Sequence, residues 1–202
     1  MEYTIVDTGK WNGDKHNEYL FEGIPISQHP DITKYFPKIV NDFDRIIELG
    51  TFHGALTLYL DKIKKPEVQL ISYDIALHWS RLPKDHGLDT RWGNYFAEGT
   101  QSELWQLINN TNKRVLLLCD GGYKEDEVKM FAPYLKENDV LMVHDYADTL
   151  EEYERVTHAI GWYDIADSSY DGIKKYILEN NLEKHPMYNE FKSVLWGIFI
   201  KK

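Results

Sequence analysis

At residues 48–54 the chain reads Glu48-Leu49-Gly50-Thr51-Phe52-His53-Gly54. An apolar run over residues 45–49 leads into this stretch, and its two glycines bracket a short turn. Glycine tolerates a positive φ and lets the backbone approach a ligand closely. Apolar residues at helical spacing follow the turn, so the pattern predicts a strand, a tight turn and a helix. Those apolar residues are Leu56, Tyr59, Leu60 and Ile63.

The rest of the chain continues this alternation of short apolar runs and amphipathic stretches. Further strands are predicted at residues 68–73, 88–92, 115–119 and 140–143, with helices between them. Charged amphipathic stretches follow at 150–160 and 173–182, before a final apolar run at 194–200 that we expect to form a strand at the far side of the sheet. Strands that alternate with helices are typical of a parallel sheet flanked by helices.

Polar residues stand at the end of each predicted strand. In open α/β sheets, ligands bind outside the carboxyl ends of the strands, near the point where the strand order reverses. We therefore expect the functional site at this edge of the sheet. The polar residues are, in strand order, Glu48, Asp74, Asn94, Asp120 and the pair His144-Asp145.

The glycine turn and the acids around it indicate a nucleoside ligand. The turn lacks the G-x-G-x-x-G spacing that a dinucleotide pyrophosphate needs, which disfavours NAD. Asp74, at the end of the next strand, can accept both hydroxyls of a ribose. Together with Glu48, the pattern suits adenosine joined to an amino acid; the alternative is an ordinary strand-to-helix turn in which Asp74 is a structural cap.

A second polar group follows the fourth and fifth strands. Asp120, His144 and Asp145 should converge, and their oxygen and imidazole ligands could hold a divalent ion. The alternative is that the carboxylates only cap helices and bond loop amides. Lys124, one turn into the next helix, could act as a general base if burial lowers its pKa; otherwise it is a solvated lysine.

Composition restricts the class of partner. The formal net charge of -10 argues against a nucleic-acid backbone as partner, because that affinity comes largely from lysine and arginine. No apolar run approaches the roughly 20 residues that span a bilayer, and the N-terminus lacks a basic-then-apolar signal segment. We therefore expect a soluble, cytoplasmic protein. The single cysteine, Cys119, lies in an apolar run and is expected to be a buried, inert thiol.

The motif Glu48-Leu49-Gly50-Thr51-x-x-Gly54 resembles the cofactor motif of class I S-adenosylmethionine (SAM)-dependent methyltransferases, in particular the cephalosporin-hydroxylase-like and macrocin O-methyltransferase-like branch. Residues 23–31 resemble the segment that packs beside the cofactor pocket in that branch, and residues 171–200 resemble its closing helix and strands. The length of 202 residues predicts one domain, 1–202, in which the resemblance marks an N-terminal cap segment, 1–43. It also implies a mostly parallel, seven-stranded Rossmann-like sheet with helices on both faces and an antiparallel last strand.

The resemblance further implies roles for the residues at the sheet edge. The methionine end of SAM would lie at the glycine turn, the ribose at Asp74 and the adenine edge at Gly93-Asn94. Asp120 and Asp145 match the acids that bind Mg²⁺ or Mn²⁺ in the branch, but His144 stands where the branch carries a carboxylate. His144 therefore remains either a metal ligand or a base. The implied cofactor residues are Glu48, Gly50, Thr51, His53, Gly54, Asp74, Gly93 and Asn94.

The predicted function is methyl transfer from SAM to a hydroxyl of a small molecule or sugar, with Asp120, His144 and Lys124 as catalytic residues. The alternatives are a nucleoside-binding or SAM-binding module without activity, and a metal-dependent hydroxylase. A hydroxylase is disfavoured because no set of two histidines and one carboxylate is evident. The sequence leaves open whether the chain assembles into a homo-oligomer.

We expect residues 148–170 to form a lid over the acceptor site, since they are extra to the strand-helix-strand pattern. The alternative is a static helix. Aromatic walls for a sugar or a flat ring could come from Tyr153, Trp162, Tyr163 and Tyr170.

Overall fold

The computed structural model describes residues 3–11, 17–76, 80–82, 86–110, 112–159 and 168–202. A small antiparallel sheet opens the chain, with strand order β1-β2-β3. These strands are β1 (Val6–Trp11), β2 (Asn17–Phe21) and β3 (Ile24–Pro25). The sheet packs on the second helix of the domain through Phe21, whose ring meets Tyr59 edge to face at 5.3 Å.

Five parallel strands form most of the main sheet. The runs at 45–49, 115–119 and 140–143 are buried along their whole length, which is why the last two are continuously apolar rather than alternating; the run at 45–49 also buries Arg45 and Glu48. The strands are β4 (Arg45–Leu49), β5 (Gln69–Asp74), β6 (Asp89–Trp92), β7 (Val115–Cys119) and β8 (Val140–Val143). All four pairings among them are parallel, as the alternating pattern predicted.

Four short strands follow in the C-terminal part of the chain, which also completes the main sheet. They are β9 (Tyr146–Ala147), β10 (Ser168–Ser169), β11 (Leu182–Lys184) and β12 (Gly197–Lys201). The main sheet has seven strands in the order β11-β12-β8-β7-β4-β5-β6, and β12 is antiparallel to both neighbours. The predicted seven-stranded, mostly parallel sheet with an antiparallel last strand is therefore confirmed. The last strand lies at the far side of the sheet, as predicted, and the edge strand β11, which was not predicted, lies outside it.

Helices cover both faces of the main sheet. The chain leaves β4, the first strand of this sheet, towards one side and later returns to its other side, and right-handed crossovers in the two directions place helices on opposite faces. They are α1 (Ile32–Tyr35), α2 (Ala55–Ile63), α3 (Glu98–Ile108), α4 (Lys124–Phe131), α5 (Leu150–Ala159), α6 (Tyr170–Glu179) and α7 (Tyr188–Lys192). The helix predicted at 173–182 ends at Glu179, and Leu182 already belongs to β11. None of the helices in the described ranges has the length and apolar character that a bilayer crossing needs.

The strand order reverses between β4 and β7, because the chain goes from β4 to β5 on one side and returns to β7 on the other. Backbone hydrogen bonds continue the sheet one residue beyond the strands. The Asp120 amide donates to the Leu49 carbonyl at 2.9 Å, and the His144 amide donates to the Cys119 carbonyl at 3.0 Å. The first residues after β4, β7 and β8 are thereby held side by side. Cys119 itself is fully buried, as predicted, and burial raises its pKa well above the usual value.

Candidate active site

A cavity of about 880 Å³ lies at this reversal point, which is large enough for a nucleoside and a small second ligand. Two of the predicted site residues, Glu48 and Gly93, are not among its walls. Gly93 instead turns beside α3, where a Cβ would lie 2.9 Å from the Thr100 hydroxyl. The predicted residues that do line the cavity are Gly50, Thr51, His53, Gly54, Asp74, Asn94, Asp120, Lys124, His144 and Asp145.

The turn after β4 depends on two glycines with positive φ, +104° at Gly50 and +86° at Gly54. A Cβ on Gly50 would lie 2.3 Å from the backbone oxygen of Asp120, so the two loops meet with no room for a side chain. A Cβ on Gly54 would lie 2.4 Å from Cγ of Leu82. Gly50 therefore sets how closely the turn approaches the loop after β7, and Gly54 sets how closely it approaches Leu82.

The Asp74 carboxylate fixes the turn on the other side. One oxygen accepts the backbone N–H of Phe52 at 2.7 Å, and the other accepts that of Ala76, also at 2.7 Å. An ionised carboxylate offers about four lone-pair positions, so two remain for other donors. Asp74 is thus a structural cap that also keeps acceptor capacity at the cavity wall.

Glu48 lies beneath the cavity rather than in its wall. It is fully buried, its Oε2 accepts the Thr57 hydroxyl at 2.6 Å, and its Oε1 has no hydrogen-bond partner among the described residues. Burial raises the pKa of Glu48 to about 8, although hydrogen bonds from Ser72 and Thr57 oppose the shift. Glu48 is therefore a neutral acid at neutral pH.

The side chains of Asp120, His144 and Asp145 converge at one point, as predicted. His144 Nδ1 lies 2.7 Å from Oδ1 of Asp120 and 3.5 Å from Oδ2 of Asp145. The Lys124 ammonium lies 2.9 Å from the same Asp145 oxygen, and only 5% of its side chain is exposed. The alternative of a solvated Lys124 is therefore wrong. We call these four residues, Asp120, Lys124, His144 and Asp145, the charged quartet.

The charge state of His144 follows from its neighbours. Burial lowers the pKa of the imidazole, but Asp120 and Asp145 together raise it by more, so the pKa lies above its usual 6.5. The carboxylate of Asp120 therefore stabilises a protonated imidazole. A carboxylate that holds one ring nitrogen of a histidine is the usual way to position a base and to stabilise its charged form.

Gln28, which the sequence did not single out, connects the quartet to the C-terminal part of the chain. Its amide Nε2 donates to Oδ2 of Asp120 at 2.8 Å, and its Oε1 accepts the indole N–H of Trp196 at 2.9 Å. The Trp196 ring also packs against His144, with centroids 4.8 Å apart. Gln28 holds Oδ2 of Asp120 and His144 holds Oδ1, so both oxygens of the carboxylate are fixed in orientation.

Removing this connection has a defined expected effect on stability. Gln28→Met and Trp196→Phe should each lower the free energy of unfolding by about 1–3 kcal/mol, because each leaves a buried polar partner unsatisfied. The double variant should lose about 1 kcal/mol less than the sum of the two, since the shared hydrogen bond is counted twice. Urea unfolding of the four proteins measures this coupling. Strictly additive losses would show that the two side chains do not interact.

Aromatic side chains form much of the remaining wall. The ring of Phe96 packs on Tyr95 and meets Tyr123 edge to face, and Tyr123 is 63% exposed beside the quartet. Tyr95 donates its hydroxyl to Glu127 at 2.8 Å beneath the loop that follows β7. Tyr95, Phe96 and Tyr123 follow no recognisable motif, so the sequence did not predict this aromatic wall.

The segment proposed as a lid is described only in part. In α5, Tyr153 is buried and lines the cavity, and Tyr170 at the start of α6 stacks on Phe199 with centroids 6.4 Å apart. Asp148, at the start of the segment, accepts hydrogen bonds from Tyr188 and Lys192. Trp162 and Tyr163 lie outside the described residues. Closure of this segment stays a prediction.

The donor set does not fit a divalent metal ion as it is arranged. Both oxygens of Asp120 accept N–H groups, and the Asp145 oxygen faces two nitrogen donors. Mg²⁺ and Mn²⁺ require several oxygen ligands directed at one point, whereas here positively charged or N–H groups occupy that point. Within the described ranges, no group of three or more histidines, cysteines or acids is arranged to hold a metal.

Comparison with known proteins identifies the fold. No protein-family model and no curated protein matches the chain. Among solved structures, CmcI with magnesium and SAM superposes with a TM-score of 0.64 at 16% identity, covering 91% of this chain and 76% of that one. The O-methyltransferase TomG from Streptomyces achromogenes, involved in tomaymycin synthesis and solved with SAM, gives a TM-score of 0.51 at 12% identity, covering 90% and 83%.

A protein described as a caffeoyl-CoA O-methyltransferase from Staphylococcus aureus gives a TM-score of 0.52 at 12% identity, covering 90% of this chain and 87% of that one. At such identities the likeness establishes the fold alone. The chain has the Rossmann-like fold of class I methyltransferases, as the motif after β4 predicted.

Proposed function

We propose that the chain is a SAM-dependent methyltransferase that methylates a hydroxyl of a small molecule. The observation that carries this proposal is the coincidence of three features at one point. The glycine turn, the Asp74 carboxylate and the charged quartet all line a single cavity at the reversal point of a class I methyltransferase fold. Structural neighbours solved with SAM support the choice of cofactor.

The cavity residues fit SAM by their chemistry. Asp74 keeps two acceptor positions for the ribose hydroxyls, and Asn94 lies where the adenine edge would meet the loop after β6. The close backbone at Gly50 and Gly54, with an α2 N-terminus that lacks a side-chain cap, suits the carboxylate of the methionine end. When bound, SAM supplies a methyl group on a positively charged sulfonium.

The chain's own contribution is alignment and proton transfer. Holding two reactants in register can supply ~7–11 kcal/mol of the barrier. As the acceptor oxygen gains the methyl group, its proton must leave, and we assign it to the His144 imidazole, which the Asp120 carboxylate holds and stabilises when protonated. Glu48 contributes by supporting the turn from beneath the cavity, not by direct contact.

The acceptor is expected to be a small hydroxylated molecule. The aromatic wall of Tyr95, Phe96 and Tyr123 suits a flat ring or a sugar face. The net charge of -10 makes a nucleic-acid acceptor a poor fit. We further propose that 1–202 acts as one domain in the cytoplasm.

The role of Asp74 is tested by binding. Asp74→Ala should weaken binding of S-adenosylhomocysteine (SAH) by about ten- to a hundred-fold, because the ribose hydroxyls lose a charged acceptor worth about 1.5–3 kcal/mol. Calorimetric titration measures the affinity, with Asp61→Ala on the surface of α2 as the matched control. If the Asp74→Ala protein binds SAH as tightly as the control, Asp74 does not hold the ribose.

A further inference from the structure

The charged quartet places a buried lysine at the point where the resemblance in sequence implied a divalent metal ion. Lys124 is the first residue of α4 and follows the glycine pair after β7, so its backbone position is fixed by the helix start. Its ammonium reaches back to Asp145 at 2.9 Å, and Asp145 is held in the left-handed region at φ +50°. A non-glycine residue in that conformation persists only where its surroundings determine it.

Nitrogen donors already occupy the carboxylate oxygens that a divalent ion would use. The Lys124 ammonium and His144 Nδ1 lie against Asp145, and His144 Nδ1 and the Gln28 amide lie against the two oxygens of Asp120. A divalent ion at the same point would have to displace the ammonium from Asp145 and the N–H donors from Asp120. It would also sit beside a positive charge, which costs binding free energy at a distance of a few ångströms.

We infer that the Lys124 ammonium takes the place of a divalent metal ion, so that this site works without metal. The inference rests on the proposed methyltransferase function. The fixed positive charge holds Asp145 and lies at the wall where an acceptor oxygen would develop negative charge. His144, in the position of a carboxylate ligand, is then free of any need to bind a metal and serves as the base.

Manganese binding tests this inference without an acceptor. Mn²⁺ is titrated into the protein saturated with SAH, and the bound ion is followed by electron paramagnetic resonance. We expect the unmodified protein to show no site tighter than about 1 mM. Lys124→Gln and Lys124→Ala should bind Mn²⁺ roughly tenfold tighter or more, because the competing positive charge is gone and the Asp145 carboxylate is released. Adding Asp145→Asn to Lys124→Gln should abolish the gained site.

The controls separate the inference from folding and from the proposed function. Lys129→Gln removes an exposed lysine from the same helix and should change nothing. Circular dichroism identifies any variant that fails to fold. Lys124→Gln and Lys124→Ala remove the ammonium independently, so either one that folds can be used for the Mn²⁺ titration. SAH binding in the same samples tests the proposed function separately.

Two results would overturn the inference. One is an unmodified protein that binds Mn²⁺ in the micromolar range at a site lost in Asp145→Asn. The other is a folded Lys124 variant that binds Mn²⁺ no better than Lys129→Gln.

Discussion

Replacing Asp120 with asparagine is expected to slow methyl transfer by about a hundred- to ten-thousand-fold, the range that a positioned acid-base group contributes. Asparagine keeps the size of the side chain but loses the charge that stabilises protonated His144 at 2.7 Å. The rate is measured at saturating SAM with any hydroxyl compound that the unmodified protein methylates. The exposed Asp126 on α4 gives the matched control, Asp126→Asn. A rate within threefold or so of the control would exclude Asp120 from the proton transfer.

The pH dependence of the methyl-transfer rate follows from the same contact between Asp120 and His144. Because the pKa of His144 lies above 6.5, its neutral, proton-accepting form predominates only above that pKa, and the rate should rise as pH rises through it. Burial lowers this pKa and Asp120 opposes the effect, so Asp120→Asn should move the pKa of His144 down. Nitrogen-15 NMR titration of the histidines measures the shift without an acceptor. A pKa of His144 that rises or stays unchanged in the variant would contradict the assignment.

Replacing Glu48 with glutamine is expected to stabilise the protein by about 4 kcal/mol near pH 8. The folded protein holds the Glu48 proton up to a pKa of about 8, whereas the unfolded chain releases it near the usual 4.5. The stability that Glu48 contributes is therefore fully present below pH 4.5 and is lost as pH rises through about 8. Glutamine has the shape of the protonated acid and cannot ionise.

Urea unfolding at about pH 5 and about pH 8 measures this effect. The unmodified protein should lose stability between the two values, and Glu48→Gln should show a flatter dependence. Glu67→Gln, at an exposed position before β5, is the control. A Glu48→Gln protein that is less stable than the unmodified one near pH 8 would show that the ionised carboxylate is required in the fold.

Most of the central sheet could be predicted because its signals are local. The strands β7 and β8 are buried on both faces and therefore read as unbroken apolar runs such as Val115–Cys119. The ends of parallel strands meet at one edge, so polar residues one position beyond them had to converge. The contacts of Asp120 with His144 follow directly from that geometry.

The features that the sequence did not predict depend on contacts between residues that lie far apart in the sequence. The edge strand β11 has only three residues, two of them exposed and charged, so no apolar pattern marks it. Gln28 reaches Asp120 and Trp196, 92 and 168 residues away, and no local motif shows such a contact. The choice between a buried and a solvated Lys124 could not be made from the sequence for the same reason, since its partner Asp145 belongs to another strand end.

Calorimetric titration of the unmodified protein with SAH, with NADH as the comparison ligand, tests the central claim most directly. The account predicts one molecule of SAH bound per chain, with a Kd on the order of micromolar, and no binding of NADH at the same concentrations. Failure to bind either SAH or SAM below about millimolar concentration, or preferential binding of NADH, would contradict the assignment of the cavity to SAM.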